Sequence, residues 1–257
     1  MTPDRAHILF EYTDHVARIT LNRPPLNILN TVMMEEMAWA LEETRKQREC
    51  TALLFRAMGK SFSAGVDVGE HRGEHLQPML TAFHRIFHLL TEIEVPTIAA
   101  VQGPALGGGC ELATFCDIVI ASERARFGQT EIKLGVFPPV AALTFPERVG
   151  TGKALELLIT GEIIEARQAE RIGLITRSVF EEDFEEEVEI LLRKLRGKSA
   201  VALALTKRAV RAGLGRPFAE ALSRVERIYV HELMKTEDAE EGLRSFLEKR
   251  KPVWKNR

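Results

Sequence analysis

The sequence predicts an α/β protein built on a parallel sheet, with a helical C-terminal region. Three observations point there. Strand-like apolar runs alternate with segments of helical period, the order that βαβ units require. Two of the runs, residues 97–101 (TIAAV) and 117–121 (DIVIA), are apolar nearly throughout, as strands buried on both faces are. From about Val188 to Phe246 the pattern is almost entirely helical, punctuated by Gly197, Gly213-Leu214-Gly215 and Pro217. A boundary near Ser199 divides the chain into a core, residues 1–198, and a helical region, residues 199–257.

Each element has its own justification. Val16–Leu21 (VARITL) reads as a strand and is stopped by Pro24-Pro25. From Thr31 the period is helical: Val32, Met33, Met37, Ala40, Leu41 and Thr44 share a face, with Glu35, Glu36, Glu42 and Glu43 towards water. Residues 51–57 (TALLFRA) form a second strand, and residues 59–65 (GKSFSAG) a turn-rich loop after it. A helix over residues 78–92 carries Met79, Phe83, Phe87 and Leu90 on one stripe, and Pro96 ends that region. Residues 181–189 are strongly acidic. The last helix, residues 236–247, has Thr236 at its N-cap and Glu237, Asp238, Glu240 and Glu241 early. Lys249, Arg250 and Lys251 follow its end, so its charges match the macrodipole at both ends.

Composition narrows the function. A chain of 257 residues, 45% apolar and 28% charged, buries a sizeable core without staples. Its 35 Lys+Arg against 37 Asp+Glu leave no basic footprint for nucleic acid. No apolar run approaches a membrane span, and the opening MTPDRAHILFEYTD lacks the apolar centre of a secretory leader. Cys50, Cys110 and Cys116 are too few for a disulfide frame and suit buried sites in a reducing compartment. The expectation is a cytoplasmic globular protein with neither nucleic acid nor membrane as partner.

Three stretches carry candidate chemistry. Residues 104–112 (PALGGGCEL) follow a strand and enter a helical segment, so the glycine run points free backbone N–H groups at an anion or carbonyl oxygen. Glu111 falls in the first turn of that helix; a plain tight turn with Glu111 as a cap is the alternative. Residues 63–67 (SAGVD) offer the N–H of Val66 as a second donor, or simply a turn. Residues 127–132 (FGQTEI) supply another carboxylate, Glu131. Two glutamates beside two backbone donors suit a reaction in which one oxygen gains charge and a proton moves, although sequence separation does not show that they meet. His71-Arg72-Gly73-Glu74-His75 fits the H-x-x-E-H zinc-peptidase pattern, and His84 and His88 repeat its spacing. Gly73 weakens the helix that pattern needs, and histidines on a solvated face are the favoured reading. Gly59-Lys60-Ser61 is no P-loop, because Leu54 stands where the upstream glycine belongs.

Taken together, Leu21-Asn22-Arg23-Pro24, Asn27-Ile28-Leu29-Asn30 and residues 61–67, 98–112 and 127–131 resemble the enoyl-CoA hydratase/isomerase (crotonase) family in order and spacing. The end of the chain, from Thr236-Glu237-Asp238 to Lys249-Arg250, resembles that family's last helix. The resemblance implies a spiral of ββα turns with a C-terminal helical part that makes trimers, often paired as hexamers. It implies an acyl-CoA thioester as substrate, with no metal and no cofactor beyond the CoA of the substrate itself. The thioester oxygen would sit between the N–H groups of Val66 and Gly108, with Ala64 and Asp67 beside the substrate. Glu111 and Glu131 would activate water and exchange the proton on carbon. Phe246 and Lys249 match positions that contact the CoA of a neighbouring subunit.

Retention of both glutamates favours hydration, with isomerisation or non-catalytic acyl-CoA binding as alternatives. One departure matters: residues 135–142 read GVFPPVAA, where Pro139 replaces a glycine and removes an N–H near the reacting centre. That stretch looks like the one in cyclohexa-1,5-dienecarbonyl-CoA hydratases. It predicts a stiff apolar wall from Phe137 to Val140 and a ring-borne dienoyl substrate. In the helical region, Leu203, Ala209, Leu222, Val225 and Ile228 are expected to pack in the trimer.

Overall fold

The computed structural model describes residues 6–257; the first five, the start of the segment read above against a secretory leader, lie outside them. A hairpin opens the fold. β1 (Ile8–Thr13) pairs antiparallel with β2 (Val16–Leu21) across Asp14 and His15, both at positive φ. Two successive positive-φ residues give the twist that a two-residue hairpin turn needs.

From β2 onward each turn of the chain places a strand in the large sheet, a short segment in a second layer, and a helix. β2 is followed by Leu29, which bridges Val66, and by α1 (Thr31–Arg45). β3 (Ala52–Ala57) is followed by Ser63, which bridges Ala105, and by α2 (Leu76–Glu92). Next come β4 (Thr97–Val101), β5 (Ala105–Leu106) and α3 (Gly108–Phe115). β6 (Ile118–Ser122) and β7 (Arg126–Gly128) lead to α4 (Pro139–Val149) and α5 (Thr151–Thr160). β8 (Ile163–Glu165), α6 (Ala166–Arg171) and β9 (Arg177–Val179) complete the core layers. The large sheet has the order β1-β2-β3-β4-β6-β9 and the small one β5-β7-β8. This is the expected ββα spiral. The sheets are not wholly parallel, however: β1 and β8 each run antiparallel to their neighbour.

Both faces of the large sheet are covered. On one, Leu21, Phe55 and Val101 belong to the main core with Met33, Met37 and Phe87. On the other, Leu54, Ile98, Ala100 and Ile120 pack against Phe184, Val188 and Leu192 of α7 (Phe184–Arg196). That is why residues 97–101 show no polar alternation. α1 is capped by Asn30, whose side chain accepts the Met33 N–H at 3.0 Å. Its face is rotated from the expected one: Val32 is 50% exposed and Met34 is buried instead. Nor does Glu36 face water, because its carboxylate accepts the N–H groups of His7 and Ile8, each at 2.9 Å.

The helical region comprises α8 (Ala200–Gly213), α9 (Phe218–His231) and α10 (Glu237–Leu247). Ser199 caps α8 through the Ala202 N–H, and Thr236 caps α10 through the Ala239 N–H. Lys207 fastens α8 to the core, with Nζ 2.6 Å from Asp117 and donating to the Val95 carbonyl at 2.8 Å. α9 has no fully buried side chain. Of the expected stripe, Leu203, Ala209, Val225 and Ile228 are half-buried within the chain and Leu222 is exposed; Val210, Leu214, Phe218 and Tyr229 are the more exposed apolar groups. Among the described residues no helix is long and apolar enough to cross a membrane.

Candidate active site

The glycine run converts the end of β5 into the start of α3, and close approach requires glycine there. Gly107 sits at φ 51°, ψ −130°, and a Cβ on it would lie 2.7 Å from Glu131 Oε1. A Cβ on Gly108 would lie 2.7 Å from Val66 Cγ2 and 3.0 Å from Phe83 Cζ. The segments bearing Glu131 and Val66 therefore close directly onto the N-terminus of α3.

The bridge between Leu29 and Val66 aims the second donor. Leu29 donates to the Gly65 carbonyl and accepts from the Asp67 N–H, each at 2.9 Å. In a parallel pairing the N–H of the residue between those two points to the opposite side. Among the described residues no hydrogen bond takes the N–H of Val66 or of Gly108. Both residues line one cavity of about 380 Å³, together with Ala64, Glu111, Glu131 and Pro139.

Glu111 lies one turn into α3 and is only 2% exposed. Its Oε1 accepts the Ala141 N–H at 2.8 Å. Pro139 is the first residue of α4, a position whose N–H has no intrahelical partner in any case. Pro139 brings no N–H to that position, and the free N–H of Ala141, two residues on, serves Glu111. Burial pushes the Glu111 carboxyl up to about 8; the Ala141 bond opposes this and the Glu131 charge adds to it. Glu131, half-buried at the start of a short 3₁₀ turn, is also raised by burial, with its own backbone N–H and His71 opposing. With its amide nitrogen turned towards the two acceptors, buried Gln129 donates at 3.2 Å to Glu131 Oε2 and to the Gly107 carbonyl. The two glutamates, twenty positions apart, line the same cavity.

Other expected site residues are placed differently. Asp67 does not line the cavity; its carboxylate accepts the Gly69 N–H at 2.9 Å and caps the 3₁₀ turn that follows. Phe246 is 82% exposed and Lys249 is also exposed, both away from the cavity of their own chain. Phe137, Pro138 and Pro139 line the cavity as expected, but Val140 faces a neighbouring groove. The H-x-x-E-H segment does not form one helix. The backbone is extended at Arg72 and positive in φ at Gly73, so His71 and His75 fall in separate 3₁₀ turns. His71 is not on a solvated face either: it lines the cavity, and its Nδ1 lies 2.9 Å from the Asp67 carbonyl. Among the described residues no group of three or more His, Cys, Asp or Glu is placed to hold a metal ion. The sequence reading missed Leu76, Leu80, Val68 and Gln129, and took Met79 and Phe83 for core alone; all but Gln129 line the cavity.

Two free N–H groups over two enclosed carboxylates define a site that stabilises charge on one oxygen and moves a proton beside it. The sequence profile described as enoyl-CoA hydratase/isomerase matches residues 11–257. A probable enoyl-CoA hydratase of Rhizobium meliloti is 40% identical over 253 residues, covering 97% of this chain and 98% of the relative. The cyclohexa-1,5-dienecarbonyl-CoA hydratase of Thauera aromatica is 36% identical over 258 residues, covering 97% and 96%. The crystal structure of an enoyl-CoA hydratase from Bacillus anthracis superposes with a TM-score of 0.92 at 31% identity, covering 98% of this chain and all of that one. The chain belongs to the enoyl-CoA hydratase/isomerase family.

Proposed function

We propose that the protein is a hydro-lyase that adds water to an α,β-unsaturated acyl-CoA. The observation that carries this reading is the one cavity lined by Glu111 and Glu131 together with Val66 and Gly108, whose N–H groups are unpartnered among the described residues. The thioester oxygen accepts both N–H groups, which draws electrons from the conjugated double bond and makes its far carbon electrophilic. Water attacks that carbon, and the enolate charge collects on the oxygen between the donors. One glutamate takes the proton from water while the other protonates carbon. Because burial raises both carboxyls, the pair holds a proton near neutral pH that a solvated carboxylate would have lost. Addition of water is redox-neutral, so the chemistry calls on no redox cofactor.

The preferred acyl group in this reading is a ring-borne dienoyl thioester. Two adjacent prolines restrict the backbone where Phe137, Pro138 and Pro139 line the cavity. Such a wall suits a flat carbocycle, which needs shape and exclusion of water more than hydrogen bonds. Water attack at the ring carbon β to the thioester delivers charge to the same oxygen, and the extended enolate takes up its proton at the far end of the diene, so the same donors serve a 1,4-addition. The 36% identical Thauera aromatica relative bears the name of that activity. Assembly is the second part of the proposal: α9 has no buried side chain, and Phe218, Tyr229 and Phe246 present apolar surface that a trimer or hexamer would cover. In that assembly Phe246 and Lys249 reach the CoA of a neighbouring subunit. Three buried free cysteines fit a reducing, cytoplasmic setting.

The test is kcat/KM for cyclohexa-1,5-diene-1-carbonyl-CoA against crotonyl-CoA with one preparation. A preference for the ring ester is expected. Equal values or a preference for crotonyl-CoA overturn the ring assignment and leave hydration standing.

A further inference from the structure

The N–H of Val66 is aimed by contacts on one side only. The chain reaches it from Leu29, the last residue before the cap of α1, and leaves it through Asp67 into a 3₁₀ turn, residues 68–71. Residue 70 then comes back to α1. Glu70 Oε2 accepts the Thr31 N–H at 2.8 Å and the Thr31 hydroxyl at 2.7 Å. Thr31 is the first residue of α1, where the N–H has no intrahelical partner and a carboxylate is favoured by the helix dipole. Asn30 already serves Met33, so Glu70 supplies an acceptor that the cap residue does not. The turn is closed on itself by the Asp67 carboxylate on the Gly69 N–H and by His71 Nδ1, which donates to the Asp67 carbonyl. Val68 and His71 of this turn line the same cavity as Val66. Leu29, Val66, Asp67, Glu70 and Thr31 thus form a ladder of two segments fastened at both ends.

We infer that Glu70 is a positioning residue for the oxyanion donor: by locking the 66–71 segment to the first turn of α1, it holds the Val66 N–H in line with that of Gly108. This inference rests on the proposed acyl-CoA chemistry and adds a residue that touches neither the substrate nor the reacting atoms. A donor that swings away weakens polarisation of the thioester without removing the cavity that binds it. Glu70 therefore acts on kcat more than on KM.

The experiment compares Glu70→Ala, Glu70→Gln and Thr31→Val with the wild-type protein on crotonyl-CoA, and records the absorption of bound cinnamoyl-CoA. The conjugated thioester absorbs further to the red as its carbonyl oxygen is polarised, so the band reports donor alignment directly. Glu70→Ala is expected to lower kcat about tenfold or more, with KM within about threefold, since small misplacements of catalytic groups are that costly. Its red shift shrinks in step. Glu70→Gln keeps an acceptor oxygen for Thr31 and restores most of both. Thr31→Val loses one of the two bonds and shows a smaller effect in the same direction, which also serves if Glu70→Ala fails to fold. Wild-type kcat and an unaltered red shift in Glu70→Ala and Thr31→Val overturn the inference, as does a loss of both in Glu70→Ala that Glu70→Gln does not repair. If the wild-type protein binds and polarises cinnamoyl-CoA yet hydrates nothing, the hydration reading has failed while the red shift still tests Glu70. If it binds no acyl-CoA, the failure lies with the acyl-CoA reading.

Discussion

The core and the helical region of this chain are finished to different degrees. At the cavity Glu111 accepts from Ala141 and Gln129 donates to Glu131. The N–H groups of Val66 and Gly108, in contrast, have no partner among the described residues, and both residues line the same cavity. In the helical region α9 has no fully buried side chain, and Phe218 is 80% exposed. The two free N–H groups that line the cavity are polar and lie in one site, which fits a small ligand. The exposed groups of the helical region are apolar and spread along a helix, which fits another protein surface. The contrast separates the proposed reacting groups, which one chain brings together, from an apolar helix face that the proposed assembly would cover.

The largest effect that bears on this contrast is expected at Gly107. Gly107→Ala puts a methyl at φ 51°, ψ −130°, where L-residues are strained, and 2.7 Å from Glu131 Oε1. The carboxylate must move, and kcat is expected to fall about 10²-fold while the oligomeric state is unchanged. Steady-state kinetics with light scattering on the same sample checks both. Wild-type turnover would break the claim that this glycine exists to admit Glu131.

The next effect is expected in the helical region. Phe218→Glu and Tyr229→Glu together place two charges on the face of α9 that buries nothing within the chain. Light scattering is expected to show loss of a trimer or hexamer, with the near-ultraviolet signal of the core retained. An unchanged mass would show that α9 is not an interface. The smallest effect concerns pH. The folded Glu111 carboxyl resists ionisation until about 8, whereas the unfolded one ionises near its ordinary 4.5. As pH rises from about 4.5 to about 8 the wild-type fold is progressively penalised for keeping this group, and above that the penalty stays constant. Glu111→Gln removes it, so its Tm relative to wild type should be higher at pH 8 than at pH 5, by a few degrees. A Tm difference that shrinks with rising pH contradicts the assignment of burial as the dominant cause.

What was legible in the sequence follows from the length over which each feature is encoded. The glycine run and Glu111 lie in one contiguous stretch, and the family resemblance supplied the pairing with Glu131 that spacing alone did not. The doubly buried strands were legible because five apolar residues in succession leave no solvated face. β1 was not, because its turn takes positive φ at Asp14 and His15 without a glycine to announce it. β5, β7 and β8 are two or three residues long, too short to display a period of two. Met79 and Phe83 read as core because an apolar stripe looks alike whether it meets a sheet or a substrate cavity. Asp67 was placed next to the reacting centre yet caps a 3₁₀ turn outside the cavity, whereas Pro139 both starts α4 and lines the cavity. Only the third dimension distinguishes those uses.

The central claim is that Glu111 and Glu131 jointly add water to a polarised enoyl thioester. It is tested most directly by turnover of Glu111→Gln and Glu131→Gln on the best substrate, with binding of the ester measured in parallel by calorimetry. The account predicts that each substitution lowers kcat by about 10²–10⁴ while the ester still binds within a few-fold of wild type. Near-native turnover in either variant would contradict it.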